Sequence, residues 1–153
     1  MAKDLLTGND GIKRDKTRIT KNGEVFTPTV LVDRLLDKIP DEKWKDPEAT
    51  FLEPCCGNGQ IVVGILERRI SCGVSPIDAL RTLFGVELMQ DNVDLCKGRI
   101  RDVLRANGVK ITRQVNDIID RNIVCSDFFN WDFDNWCPKE EPETTGGLEE
   151  FFV

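Results

Sequence analysis

At 153 residues the chain is long enough for one domain with a real core and too short for two of ordinary size. Apolar residues make up 40% and charged residues 31%, the balance of a globular chain, and no run nears the ~20 apolar residues that span a bilayer. The absence of histidine excludes Ser-His-Asp and Cys-His catalysis, and with no C-x-x-C pair no metal site is expected. A net charge of −6 opposes unassisted binding to a phosphate backbone. The six cysteines show no regular spacing, which fits a reducing compartment, and the opening Met-Ala-Lys-Asp-Leu-Leu has no apolar signal core, so a cytoplasmic location and no membrane role are expected.

Residues 1–22 lack periodicity and read as a flexible arm, basic at 13–21 through Lys13, Arg14, Lys16, Arg18 and Lys21. A domain is expected over 23–137, followed at 138–153 by a mobile acidic loop and a terminal strand at 150–153. Thr27 as N-cap and Pro28 as first helical residue predict a helix with one apolar face of Leu31, Val32, Leu35, Leu36 and Ile39. Residues 41–49 read as a charged loop around Trp44, and 50–53 as the first strand.

The stretch Glu53-Pro54-Cys55-Cys56-Gly57-Asn58-Gly59 then reads as a strand-to-helix turn. Glycine at 57 and 59 allows positive φ and close approach of a ligand to the main chain, and the amides that open the next helix suit a ligand rich in oxygen. Ile61, Val62, Ile65 and Leu66 carry that helix to Ser71-Cys72-Gly73. Ser75-Pro76 predicts a short helix and 83–87 the second strand. Asp91 is expected to cap a longer helix with Val93, Cys96, Ile100, Val103 and Leu104 inside, closed by Asn107-Gly108. A helix near 113–120 precedes a third strand over 121–125.

This alternation predicts an α/β fold with right-handed parallel crossovers, and in such sheets ligands sit beyond the carboxyl ends of the strands. Glu53, Glu87 and Asp127 close the three strands, so three carboxylates are expected to converge on the glycine turn. Paired acceptors of this kind suit Glu87 to a ribose diol and Asp127 to an exocyclic amine. The turn departs from the G-x-G-x-x-G dinucleotide fingerprint, with Val62 at the third glycine position, which argues against NAD.

In order along the chain, Glu24-Val25-Phe26-Thr27-Pro28, the turn at 53–59, Gly85-Val86-Glu87-Leu88 and Ser126-Asp127-Phe128 resemble the motifs of the N6-adenine DNA methyltransferases. The likeness is to the modification subunits and adenine methylases of restriction-modification systems, and it covers roughly residues 23–130. It implies a truncated Rossmann-like class I methyltransferase sheet of three to four parallel strands with flanking helices. It further implies S-adenosylmethionine as cofactor: Phe26 and Thr27 at its methionine part, Glu53, Pro54 and the backbone of Gly57 and Gly59 at its amino-acid portion, Glu87 at the ribose and Asp127 at the adenine amine. Leu88 and Phe128 would flank the adenine ring.

The family flips its target base and holds it with an Asn-Pro-Pro-aromatic tetrad after a fourth strand. This chain has no such tetrad; Asn135-Trp136-Cys137-Pro138 is the nearest imitation. No catalytic residue is therefore assigned. The favoured expectation is a split or degenerate methyltransferase module that binds cofactor and is inactive alone. The alternatives are an active adenine methyltransferase using Asn130, Asn135 or Asp132 as acceptor site, and a non-enzymatic interaction protein on the same fold. The expected partners are a second copy or a complementary methyltransferase chain, with DNA reached only through a partner or the basic arm.

Overall fold

The computed structural model describes Thr17 and residues 27–140. Phe26, the rest of the basic stretch and the terminal strand expected at 150–153 lie outside the described residues. The order is α1 (Thr29–Leu36), α2 (Asp41–Lys45), β1 (Phe51–Glu53), α3 (Gln60–Ser71), α4 (Pro76–Arg81), β2 (Leu83–Glu87), α5 (Gln90–Ala106), α6 (Arg113–Asn122) and β3 (Ile123–Cys125). A 3-10 turn (Phe128–Asn130) and a hairpin of β4 (Trp131–Asp132) and β5 (Cys137–Pro138) complete the described chain.

The three long-range strands form one parallel sheet in the order β1-β2-β3, flanked by helices. It is a mixed α/β arrangement compatible with a Rossmann-like fold. Register decides the faces, because paired residues of parallel strands point the same way and neighbours alternate. Phe51 pairs with Leu83 and Gly85 with Ile123, and Phe51, Leu83 and Ile123 join the main core with Val62, Ile65 and Leu66 of α3 and Val93, Cys96, Ile100 and Leu104 of α5. Leu52, Phe84, Val86 and Val124 face the other side, where the Trp136 ring meets Phe84 edge-on with centroids 4.8 Å apart.

Several expectations need correction. α1 starts one residue late, with Pro28 rather than Thr27 at the N-cap, and buries only Val32 and Leu36; Leu31 and Leu35 face outward at 44% and 51% exposure. The reason is Gly64 of α3, against which Val32 and Leu36 nest so closely that a Cβ there would stand 2.8 Å from Val32 Cγ1. The charged loop around Trp44 is in part helix α2. Pro40 precedes it, and Trp44 is buried, stacked on Phe51 at 5.1 Å and donating Nε1–H to the Ile39 carbonyl. Helix α5 is capped by Met89 backbone, not Asp91, which sits inside its first turn. Residues 121 and 122 close α6 instead of opening β3, because buried Asn122 spends its amide on the Leu80 and Arg81 carbonyls at the end of α4.

The aromatic stretch 128–136 folds over β2 and the end of α6, with the Trp136 ring against Phe84 and its Nε1–H donating to Arg121 O at 2.6 Å. Pro138 and Lys139, expected in a mobile loop, are held there too: Pro138 lies in β5, and Lys139 donates its backbone N–H to Asn130 O and its Nζ to Phe129 O.

Arg69 is the largest polar side chain in the interior, fully buried at the end of α3. Its guanidinium donates to Asp46 O at 2.7 Å, to Pro47 O, to Ala79 O and to the Thr82 hydroxyl, and lies over the Phe51 ring. One side chain thereby ties the segment before β1 to the segment before β2, fixing the ends of the strands opposite the glycine turn.

Candidate functional site

The site forms where β1, β2 and β3 end. Phe51 N–H donates to Thr82 O at the start of the β1-β2 ladder, and Cys56 N–H donates to Val86 O at 2.9 Å just past its end. The turn from β1 is thus folded over the end of β2. Gly57 (φ 51°) and Gly59 (φ 93°) both take the left-handed conformation expected of them. Gly59 also has no room for a side chain, since a Cβ would lie 2.8 Å from Cys96 Sγ and 3.1 Å from Cys96 Cα. Gly85, in the middle of β2, leaves space in the same way for Cys56 Sγ, which would stand 3.1 Å from a Cβ there. Cys56 and Cys96 lie buried beneath the turn, and the neighbouring Cys96 thiol, with burial, drives the Cys56 pKa far up. They pack as small apolar groups.

Glu87 organises this end of the sheet. Its Oε2 accepts the Gly57 N–H at 2.9 Å and its Oε1 the Met89 N–H at 3.0 Å, while its main-chain carbonyl accepts Ser126 N–H at 3.0 Å. A residue of β2 therefore joins the turn after β1 to the segment after β3. Each carboxylate oxygen can accept more than one bond, so the pair keeps capacity for outside donors.

Glu53 accepts the Cys55 N–H at 3.1 Å, and its carboxyl is raised above its ordinary value by burial, only partly offset by that bond. Asp127 lies two residues past β3 rather than at its end. There it caps the 3-10 turn by accepting Phe129 N–H on Oδ1 at 2.8 Å. The three carboxylates do converge. The Cys55 thiol is pushed up first by desolvation and then by the negative charges of Glu53, Glu87 and Asp127 together. Leu88 and Phe128 stand at the same end with 55% and 39% of their surface exposed, and Phe129 is more exposed still.

Beside the turn is a recess of about 40 Å³ lined by Thr27, Cys55, Gly57, Asn58, Gln60 and Ile61. Thr27, Gly57 and Gly59 of the expected set thus meet at the start of α3, whose N-cap is Gly59 with no side-chain cap. Pro54, half-buried, belongs to the turn without a polar contribution. Asn58 was not foreseen. It is only 2% exposed, and its Oδ1 has no hydrogen-bond partner among the described residues. A polar residue between two left-handed glycines was the available signal.

Of the residues suggested as an unconventional acceptor site, Asp132 and Asn135 are engaged with each other, while Asn130 contributes its backbone to the turn and the hairpin. Asp132 accepts the Asn135 side-chain amide at 2.8 Å and the backbone amides of Asp134 and Asn135, which hold its carboxyl below the ordinary range. It builds the hairpin turn that carries Trp136 at φ 52°.

Among the described residues no group of three or more Cys, Asp or Glu side chains could hold a metal, and no helix is long and apolar enough to cross a membrane. Comparison with known protein families, with curated proteins and with solved structures finds no match to the chain.

Proposed function

We propose that the chain binds S-adenosylmethionine or its demethylated product across the carboxyl ends of β1, β2 and β3, as a split or degenerate N6-adenine DNA methyltransferase module. The observation that carries this reading is Glu87, a half-buried carboxylate that holds the Gly57 and Met89 amides and keeps acceptor capacity toward the open end of the sheet. A ribose diol supplies paired donors for such a group. Exposed Leu88 and Phe128 offer apolar contact to a base next to it, and the Asp127 oxygen that does not cap the 3-10 turn is an acceptor for the base's amine. Phe26, outside the described residues, enters only through its place in the motif beside Thr27.

The 153 residues contain no Asn-Pro-Pro-aromatic tetrad, and Asp132 and Asn135 are spent on their own turn. The reading therefore assigns cofactor binding to this chain and methyl transfer to a complementary chain. β1 pairs on one side only among the described residues, and Leu52 on it is 45% exposed, which supports a partner at that edge. DNA would be reached through that partner.

Calorimetric titration with S-adenosylhomocysteine tests the binding. The wild-type chain is expected to give saturable heat, and Asp127→Ala to weaken it by roughly tenfold, the loss of one hydrogen bond to a charged acceptor. Asp127 is the informative position because, unlike Glu87, it does not hold the glycine turn. Tritiated cofactor with mixed-sequence duplex DNA tests the second half. Incorporation above a heat-killed control that disappears in Asp127→Ala would make the isolated chain an active methyltransferase.

A further inference from the structure

Two unfavourable features meet in the β4–β5 hairpin. Trp136 has φ 52°, and among the described residues it is the only one other than glycine to take a positive φ. Asn135, one position earlier, tolerates that conformation better than a bulky aromatic does. The strain falls on Trp136 because its side chain is held: the ring lies edge-on to Phe84 of β2 at 4.8 Å, and Nε1–H donates to Arg121 O at 2.6 Å. Trp131, at the start of the hairpin, is buried, yet its indole N–H has no acceptor among the described residues. A left-handed aromatic and a buried unpaired donor each disfavour the closed hairpin, and both are relieved when it lifts and water reaches Trp131.

The hairpin is also separate from the body. β4 and β5 form their own two-stranded sheet, and Trp131 is buried outside the main core, as is Val86 on the Phe84 face of β2. Both ends of the hairpin nevertheless reach the candidate site. Lys139, directly after β5, donates its backbone N–H to Asn130 O and its Nζ to Phe129 O, both at 2.8 Å. Those carbonyls belong to the 3-10 turn that Asp127 caps and Phe128 opens. Phe133, in the hairpin loop, packs on Phe128 with centroids 5.0 Å apart and lies 6.4 Å from Trp136. A continuous chain of rings, Phe84-Trp136-Phe133-Phe128, thus runs from the face of the sheet to its ligand end.

We propose that the hairpin is a latch coupled to the nucleoside site, with Trp136 as its positioning residue. Closed, it holds Asp127 and Phe128 in place for a ligand; open, it lifts from Phe84 as a unit while the α/β body stays folded. The inference rests on the reading of the strand ends as a nucleoside site and adds the element that regulates it. Ligand binding and latch closure then favour each other by the same factor, since coupling between two events is reciprocal.

Amide hydrogen exchange on the full chain, with and without S-adenosylhomocysteine, tests it. The Lys139 amide, bonded to Asn130 O, reports on the latch; the Phe51 and Cys56 amides, bonded to Thr82 O and Val86 O, report on the body. Without ligand, Lys139 is expected to open at least about tenfold more often than the body amides. Trp136→Ala should leave Lys139 nearly unprotected and the body amides within about twofold of wild type. It should also weaken S-adenosylhomocysteine by roughly fivefold or more, and saturating ligand should slow Lys139 exchange in the wild type by a similar factor. Trp131→Phe keeps the ring and deletes the unpaired N–H, so its Lys139 protection should equal or exceed that of wild type. If the alanine variant does not fold, Trp136→Phe, which lacks the N–H, reads the same changes at smaller size. Lys139 exchanging together with the body amides overturns the latch, whether or not a ligand binds. Wild-type affinity in a folded Trp136→Ala chain with Lys139 unprotected overturns the coupling. If the folded wild type binds no S-adenosylhomocysteine, the nucleoside reading fails and the coupling with it, while exchange of the unliganded chain still decides the latch.

Discussion

Replacing Glu87 by alanine should cost stability as well as ligand affinity, because the same carboxylate holds the site together without ligand. The substitution removes the acceptors of Gly57 N–H (2.9 Å) and Met89 N–H (3.0 Å), while the main-chain bond from Ser126 survives. A hydrogen bond to a charged group contributes about 1.5–3 kcal/mol. Glu87 is only half-buried and water can reach the freed amides, so the lower end applies and the pair should sum to about 2–3 kcal/mol. For a chain of this size that is a fall in Tm of roughly 5–10 °C. Glu87→Gln keeps one acceptor oxygen and should lose about half as much. Urea and thermal unfolding followed by circular dichroism measure both. An alanine variant within about 0.5 kcal/mol of wild type, the range of an ordinary surface substitution, would refute the claim that Glu87 ties the strand ends together.

Gly59→Ala combines a left-handed φ of 93° with a Cβ placed 2.8 Å from Cys96 Sγ, and should destabilise by ~2 kcal/mol or more in the same unfolding assay. Arg69→Leu strands the carbonyls of Asp46, Pro47 and Ala79 in the interior and should cost about 3 kcal/mol, without a selective effect on any one ligand. Glu53 has a folded pKa above its ordinary 4.5, so the folded state holds its proton more tightly than the unfolded state. Its contribution to stability is full below pH 4.5 and is lost as pH rises through the folded value. Glu53→Gln should accordingly flatten the decline in Tm across that window, and raise Tm slightly at pH 7.

The frame of this fold could be read from local patterns because the patterns agreed with the tertiary structure. The second strand runs over 83–87 as its apolar run up to Glu87 suggested, and the inner face of α5 followed its three-and-four spacing. The glycines at 57 and 59 announced their left-handed backbone through the turn they sit in. Long-range packing hid the rest. Nothing local says that Leu31 and Leu35 stay outside while Val32 and Leu36 nest on Gly64, or that Arg69 turns inward to serve carbonyls from two distant loops. Trp44 in a charged stretch looked like a loop residue until Phe51 appeared as its stacking partner.

The site divides in the same way. Convergence of Glu53, Glu87 and Asp127 followed from topology alone, since all three close parallel strands or follow them directly. That Glu87 would spend both oxygens on backbone amides, and that Asp127 would cap a 3-10 turn, depended on main-chain geometry that spacing does not carry. The unpartnered oxygen of Asn58 is a property of packing and has no local signature beyond its flanking glycines.

The most direct test of a nucleoside site at these strand ends is a two-dimensional amide spectrum of the isotope-labelled chain during titration with S-adenosylhomocysteine. The Gly57, Gly59 and Met89 amides, two of which now donate to Glu87, should shift progressively and saturate together, along with those of Asp127 and Phe128. Saturating shifts confined to other parts of the chain, or none at millimolar ligand in a well-dispersed spectrum, would contradict the account.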